Sequence, residues 1–438
     1  MKTLVLFNYD WDESGFARHA QSYPVDAAGF DLFSFPSNVQ LAWFDIERFV
    51  QRLAAKAKRR GWQAVVSNHE QFGALAAALL AERMGWPGTP VAAVLACQHK
   101  LYARQVMAEV CPEASCEFEG LNIDYDQPVP GGLRYPTFVK PVKAAFSVLA
   151  RTVHNRDELQ AHTRFDAWEL WVIRHLVEPF EKVLRKRMPN VPSAHNMLLE
   201  QPMSGHQYNL DGYAFEGQVH ALGVVDALHY PNTQAFMRFE MPSRLNADIQ
   251  ARALAVARRF LAAVGFSHGL FNMEFFYDAA QDRLGVIEFN PRMASQFSDL
   301  YLRVQGLDLH ALALALARGQ DPADMPRVAP SAGAAASFVY RSFSPGTPVH
   351  MPGSSQKQAL ARAFPDALLF CFAKPPSQTE RDFKWLGSYR YGILHLGGAD
   401  ARQLRVRCEN ATALLGWPVP YADAQPDFAL TPSEQWAV

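Results

Sequence analysis

The chain has 438 residues, 49% apolar and 19% charged, which suits a soluble globular protein of two or three packed units. A net charge of −1 gives no electrostatic reason for nucleic acid or an anionic membrane as partner, and no apolar run approaches the ~20 residues that span a bilayer. Cys97, Cys111, Cys116, Cys371 and Cys408 are odd in number and scattered, which signals neither a disulfide framework nor a zinc site and favours a reducing cytosol.

Residues 3–7 read as a buried-type strand, and their apolar core is too short for a signal peptide. Residues 45–60 have helical spacing, with Ile46, Phe49, Val50, Leu53 and Ala57 on one side and Gly61 as the stop. A second strand over 64–67 and an Ala- and Leu-rich helix over 72–84 complete a small doubly wound α/β unit. No G-x-G-x-x-G follows its first strand, so the dinucleotide-binding fingerprint is absent there. A turn-rich stretch, 85–90, leads past residue 99 into a helix over 101–110. Lys100 opens that helix beside the partial positive charge of its first turn, where an anion is welcome; a solvated helix lysine is the ordinary alternative.

Thr137-Phe138-Val139-Lys140-Pro141 is a strand ending in lysine. A lysine in an apolar strand must snorkel or find a negative partner, and phosphate oxygens are one such partner. Residues 142–147 run into a strand over 148–153 and can act as a flap over phosphates, although they contain no glycine. Residues 157–187 read as one or two helices without chemistry. Residues 196–203 are a strand entering a tight connector, where Pro202 cannot donate to a ladder. The freed Gln201 carbonyl and Met203 N–H can read a base; a plain turn is the alternative. Residues 205–213 begin another strand, and 246–263 form an amphipathic helix stopped by Gly265.

Two apolar runs, 269–277 and 284–287, joined by the polar loop 279–283, read as a hairpin. Glu274 lies within the first run, and Glu288-Phe289-Asn290-Pro291-Arg292 follows the second. Alternation puts Asn272 and Glu274 on one face of their strand, and Glu288 and Asn290 on one face of theirs. If Asp278 pairs with Leu284, Glu274 falls opposite Glu288, with side-chain roots roughly 5 Å apart. Two carboxylates that close repel unless neutralised. A divalent cation would neutralise them, Asn290 adds the hard oxygen that Mg²⁺ prefers, and Arg292 stays positive for whatever anion the metal holds. That describes a nucleoside triphosphate site; an ordinary hairpin with its carboxylates in water is the alternative. Residues 293–302 and 307–317 read as helices behind the hairpin. A Pro-, Ala- and Gly-rich linker, 321–333, precedes short strands at 336–340, 367–371 and 392–396 and a helix over 400–415.

In this order the pieces resemble the ATP-grasp superfamily, most closely its carboxylate–amine and amino-acid (dipeptide) ligases, over most of the chain. Gly85-Trp86-Pro87-Gly88 with Lys100, and Phe138-Val139-Lys140-Pro141, resemble the two phosphate-binding lysine elements. Glu200-Gln201-Pro202-Met203 is similar to the adenine hinge, and residues 205–211 to the G-x-E-x-x-x-[DE] strand after it. Asn272-Met273-Glu274 and Glu288 to Arg292 resemble the two metal-binding elements. Three features depart from the pattern. Gln207 stands where the family has a ribose-binding glutamate, Lys143-Ala144-Ala145-Phe146 replaces a glycine-rich flap, and Ala294-Ser295 replaces small glycines. The absence of Gln-Val-Glu-His after Arg292 argues against bicarbonate as substrate.

The resemblance implies an α/β (α+β) ATP-grasp fold, with an N-terminal α/β domain over 1–95, a two-lobed ATP-grasp domain over 96–325 whose lid spans about 130–205, and a small C-terminal α+β domain over 326–438. It implies ATP with Mg²⁺, or Mn²⁺ in its place. Lys100, Lys140, Glu200, Gln201, Met203 and Gln207 would contact the nucleotide, and Glu274, Glu288 and Asn290 the metal. Arg292 and Lys140 would act in catalysis, and Arg238, Arg244 and Ser295 would face substrate. The implied reaction joins a small-molecule carboxylate to an amine through an acyl phosphate, in the cytoplasm, with neither nucleic acid nor membrane as partner; a homodimer is compatible with it. Two rivals remain: a phosphotransferase or carboxylase of the same fold, and a non-catalytic nucleotide-binding protein.

Overall fold

The computed structural model describes residues 2–32, 37–122, 127–144 and 149–421. The apolar runs near the N-terminus form three parallel strands, β1 (Lys2–Leu6), β2 (Val25–Ala28) and β3 (Trp62–Val66), in the order β2-β1-β3. Helix α1 (Asp10–Ala17) follows β1, and α2 (Ile46–Arg60) and α3 (Gly73–Met84) flank β3. Helix α2 is capped at both ends, the C-terminal one at the predicted Gly61. Asp45 accepts from the Arg48 N–H at 2.9 Å, and Gly61 ends the helix at φ 71°, where a side chain would be strained. The pattern does not predict α1 or β2, because α1 has no apolar stripe and β2 is four residues long with Asp26 inside it. Asp26 is held there by Lys2 and by the Trp62 indole N–H, each at 2.7 Å.

Helices α4 (Val91–Gln98) and α5 (Lys100–Val110) meet at His99, so a boundary at 95/96 falls inside α4. A four-stranded antiparallel sheet in the order β4-β7-β5-β6 follows, built from β4 (Phe118–Leu121), β5 (Thr137–Pro141), β6 (Arg151–Val153) and β7 (Met197–Glu200). Between β6 and β7 run α6 (Arg156–His162) and α7 (Ala167–Arg187), the latter opened by an Asp166–Glu169 capping box. The apolar side of α7, with Val177, Phe180 and Leu184, packs into the core of the N-terminal unit. The flap predicted over 142–147 and the strand start predicted at 148 lie partly outside the described residues.

The largest sheet is antiparallel throughout, in the order β12-β11-β8-β9-β10-β13-β15-β14. Its members are β8 (His206–Phe215), β9 (Gln218–His229), β10 (Phe236–Met241), β11 (Gly269–Asp278), β12 (Arg283–Asn290), β13 (Ala334–Ser342), β14 (Leu368–Cys371) and β15 (Tyr389–Gly398). Helix α8 (Ala247–Ala263) packs over Leu210, Met273, Phe275 and Phe289 on one face. Helices α9 (Ser298–Gln305) and α10 (Leu309–Ala317) pack on the other, against Val225, Ala227 and Phe239. The chain adds α11 (Ser354–Ala363) and α12 (Pro376–Leu386), and α13 (Ala401–Leu415) covers Phe338, Tyr340 and Leu394. Residues 326–438 were predicted as a small domain of their own, yet their strands extend this sheet, with β13 paired to β10. Among the described residues no single helix is long and apolar enough to cross a membrane.

Candidate active site

The β11–β12 hairpin sets the site. Its turn is closed by the Asp278–Arg283 pair, and Asp278 Oδ1 accepts from the N–H groups of Ala280 and Gln281 at 2.9 and 3.2 Å. Tyr277, not Asp278, therefore faces Leu284, one residue off the predicted register. A bulge then restores it: Phe275 pairs with Val286 and Glu274 with Glu288, which leaves Ile287 as the extra residue. On one side of the bulge Leu284 and Val286 face the α8 core, and on the other Phe289 does. Glu288 and Asn290 are thereby turned to the opposite face, with Glu274 and Asn272.

The carboxylates on that face are tightly held. Asn290 Nδ2 donates to Glu274 Oε1 and to Asn272 Oδ1, both at 3.2 Å, and Gln207 Nε2 donates to Glu274 Oε2 at 3.0 Å. Burial, and then the neighbouring charge of Glu288, raise the Glu274 carboxyl above the ordinary glutamate range. Burial also works against ionisation of Glu288, but Lys100 and Lys140 hold it below that range. Lys100 Nζ lies 3.2 Å from Glu288 Oε2 and donates to the Ala144 carbonyl at 2.7 Å. Behind this row Asp211 accepts from Asn272 at 3.0 Å and from the Tyr301 hydroxyl at 2.9 Å, and burial lifts its carboxyl to about 7. The donor set fits a hard divalent cation, since Glu274, Glu288 and the Asn290 amide can offer oxygens only. Among the described residues no three His, Cys, Asp or Glu side chains form a complete cage, so other oxygens must finish the coordination shell.

Sequence reasoning missed Arg104. It follows Lys100 by four residues on α5 and so shares its face. Arg104 Nε donates to Glu200 Oε1 at 2.8 Å, and its two terminal nitrogens donate to the carbonyls of Val286 and Ile287 at 2.8 and 3.2 Å. Lys140 Nζ sits 2.7 Å from Glu200 Oε2 and 3.4 Å from the Ile287 carbonyl. The bulged Ile287 thus presents its free carbonyl to both cations. Burial opposes the Glu200 charge, but Arg104 and then Lys140 hold its carboxyl below the glutamate range. Residues 201–204 leave the strand as predicted, with the Gln201 N–H donating to the Glu117 carbonyl at 2.9 Å. Met203 packs its sulfur over Gly285, where a Cβ would lie 3.0 Å from it.

A second missed group comes from the segment of the N-terminal unit after β3, joined by Lys143 from just beyond β5. Ligands of parallel α/β sheets gather at the carboxyl ends of the strands, and that rule is the signal by which the group could have been found. Glu70 lies 2.9 Å from Arg292 Nε and accepts from Gln98 Nε2 at 3.0 Å. Lys143 is fully buried, donates to the Glu70 carbonyl at 3.3 Å and stands 5.2 Å over the Phe180 ring. Burial, reinforced by Lys143 and Arg292, pushes His69 down to about 3, so its imidazole is neutral. Arg292 therefore bridges the hairpin to the N-terminal unit.

Of the residues predicted to face substrate, Arg238 and Arg244 lie away from this row of carboxylates. Arg238 pairs with Glu240 at 2.5 Å and lies under the Tyr421 ring; its cross-strand neighbours Phe338 and Leu228 put it on the face away from Glu274. Arg244 bonds Glu240 at 3.0 Å and approaches Asp226 at 3.4 Å. Both arginines are committed to carboxylates of this chain. Ser295 donates to Asp12 at 3.0 Å, and His310 Nε2 lies 2.8 Å from the other Asp12 oxygen, so Ser295 ties α1 to the sheet.

Comparison with known proteins gives likenesses of family, sequence and structure. Residues 133–299 match the family described as ATP-grasp domain. Carnosine synthase 1 of Gallus gallus is 30% identical over 294 residues, which is 65% of this chain and 30% of that protein, so the chain spans under a third of that relative's length. The crystal structure of L-amino acid ligase from Bacillus licheniformis superposes with a TM-score of 0.67 at 14% identity, covering 94% of this chain and 97% of that one. N5-carboxyaminoimidazole ribonucleotide synthetase from Thermus thermophilus gives 0.61 at 15% identity, covering 96% and 100%. At these identities the two superpositions speak for the fold.

Proposed function

We propose that the chain, whose residues 133–299 match an ATP-grasp domain and whose fold is that of ATP-grasp proteins, is an ATP-dependent carboxylate–amine ligase acting on small molecules, an amino acid among them. One observation supports this best: Glu274 and Glu288 face each other across the hairpin, with Lys100 on Glu288 and Arg292 beyond them. The relatives named for amino-acid ligation point to the same chemistry.

In the proposed reaction a substrate carboxylate oxygen attacks the γ-phosphorus of ATP, ADP leaves, and an acyl phosphate forms. An amine nitrogen then attacks the acyl carbon, loses its proton and expels phosphate. Lys100 and Lys140 bind and neutralise phosphate oxygens, and to do so each exchanges a glutamate partner for phosphate. Arg104 keeps Glu200 paired when Lys140 turns away. Arg292, positioned by Glu70, faces the transferring phosphoryl group and then the tetrahedral oxyanion. Glu274, Glu288 and Asn290 would hold Mg²⁺, which supplies charge neutralisation at the phosphates. The Asn290 amide, whose nitrogen now faces Glu274, turns over to present its oxygen. In this reading the four-stranded sheet is the lid that closes over the nucleotide.

The test is a phosphate-release screen over pairs of L-amino acids and amines with Mg²⁺, the amide product identified by mass spectrometry and Glu288→Gln as the blank. Amine-dependent release of ADP and phosphate is expected, and Arg292→Met should lower kcat by roughly 100-fold or more. ATP binding without turnover on any pair, or a phosphorylated product without amide, would refute the ligase reading.

A further inference from the structure

Outside the hairpin, the sheet carries two arginines, Arg341 and Arg390, that form no ion pair with a carboxylate of the described residues. Arg341 on β13 and Arg390 on β15 are directly paired across an antiparallel ladder, an arrangement of like charges that is destabilising unless something offsets it. A bulge puts them there. Tyr340 pairs with Gly392 and Arg341 with Arg390, so Tyr391 is the extra residue. Tyr391 turns to the α13 side with Tyr340 and Trp417, while both arginines fall on the face of Val339 and Ile393, the face that carries Glu274 and Asn290.

Among the described residues their direct contacts are neutral. Arg341 donates to the Phe236 carbonyl at 3.2 Å and to Ser388 Oγ at 2.9 Å, and Arg390 lies 4.6 Å over the Phe372 ring. Asp382, the carboxylate that influences both, is bonded to Lys374 at 2.6 Å. Burial and the charge of Arg390 push Arg341 down to about 10. Two partly buried guanidinium groups side by side are thus left with capacity for one anion.

An aromatic wall connects this pair to Arg292. Trp11 meets Phe370, two residues before Phe372, at 5.7 Å, and Tyr9 meets Trp11 at 5.6 Å. Tyr9 in turn stacks on His69 at 5.1 Å, and the next residue, Glu70, holds Arg292. The wall stands at the carboxyl ends of β1 and β3. Three buried polar atoms there, Asn8 Oδ1, Trp11 Nε1 and Asn68 Nδ2, have no hydrogen-bond partner among the described residues, as expected where a polar molecule lies.

We propose that Arg341 and Arg390 bind the carboxylate that one substrate keeps through the reaction, so that the crevice selects an amino acid by its unreacted carboxylate. The inference rests on the ligase reading for the identity of the substrate. The arginine pair would hold that carboxylate through two charge-assisted bonds, while the same molecule's reacting group lies along Tyr9 and Trp11 toward Arg292.

Two measurements test it. Thermal shift without ATP, using the common L-amino acids and their primary amides as probes, needs no turnover and is independent of the ligase reading. At least one free acid should raise Tm where its amide does not, and Arg390→Met should abolish the difference. With turnover, the ratio of kcat/KM for the free acid over its amide, on the amine side and separately on the acid side, should fall by roughly 10- to 100-fold in Arg390→Met and Arg341→Met. The side that responds identifies the substrate held. Arg390→Lys, which keeps the charge, should restore part of the discrimination, and it stands in for the methionine variant if that one does not fold. Acids and amides behaving alike in the wild type, or discrimination that survives both substitutions, would overturn the proposal. A shift that persists with no ligase turnover would refute only the ligation.

Discussion

At the scale of single residues, Lys143 is a positive charge of the site that the described residues only partly neutralise. Its ammonium is buried, with one backbone carbonyl at 3.3 Å and an aromatic face as its nearest compensation. Burial, which Glu70 only partly offsets, lowers its pKa from 10.5 to about 8. The depressed value means that the charged form is disfavoured in the folded state. That penalty is fully present below about pH 8 and disappears as the pH rises toward the unfolded value near 10.5. Lys143→Met should therefore unfold at higher urea concentration at pH 7, by up to about 3 kcal/mol, and should lack the wild type's gain in stability between pH 8 and 10.5. Equal stability of the two proteins at pH 7 would show that the charge is already compensated. Lys100, Lys140, Glu274, Glu288 and Arg292 were legible in the sequence because each breaks an apolar pattern or follows one. Arg104, Glu70 and Lys143 were not, because nothing local marks an arginine inside a helix, a glutamate in a loop or a lysine in a flap as converging on one point.

At the scale of elements, α5 delivers two of these cations from one face, and its first turn depends on His99. The His99 Nδ1 accepts from the Tyr102 N–H at 3.0 Å, while Nε2 lies 2.8 Å from the Pro192 carbonyl and must carry the proton. Burial lowers the His99 pKa, which keeps the ring neutral and able to accept. His99→Ala removes both bonds and should cost about 1–2 kcal/mol. It should also raise KM for ATP, because Lys100 follows directly and Arg104 one turn later. His99→Asn restores the cap and should recover most of the stability; a KM for ATP unaffected by alanine would separate the cap from the site. The hairpin shows where element-level reading stops. Alternation predicted which side chains share a face, and Glu274 does lie opposite Glu288, but through a turn that closes one residue early and a bulge at Ile287 that corrects it. A bulge leaves no trace in the apolar pattern, since Leu284, Val286, Ile287 and Phe289 look the same with or without it. The same holds for Tyr391, whose bulge aims Arg341 and Arg390.

At the scale of the whole molecule, the eight-stranded sheet joins segments that composition separates. The Pro-, Ala- and Gly-rich stretch 321–333 reads as a linker between domains, but β13 begins at its end and pairs with β10, whose residues are buried on both faces. Linker composition reports that a segment is irregular, not that the strands on either side part company; that information is long-range and comes from β10 needing a partner. On one face Met241 and Phe239 pack with Ala335 and Val339, and on the other Arg238 and Glu240 lie beside Ala336 and Phe338. A chain ended after residue 325 would leave β10 as an unpaired edge with Phe239 and Met241 exposed on one face, an arrangement that invites aggregation. It would also remove Ile393 and Phe370 from the core that supports α9. Residues 1–325 alone should therefore be recovered only in aggregated form, and the intact protein should unfold in one calorimetric transition with the calorimetric and van't Hoff enthalpies equal across this boundary. A soluble, monomeric fragment 1–325 that still binds ATP would show that the shared sheet is geometric only. In that case Arg341 and Arg390 would belong to a cap that docks onto the site, and substrate discrimination, but not nucleotide binding, should return when residues 326–438 are added in trans.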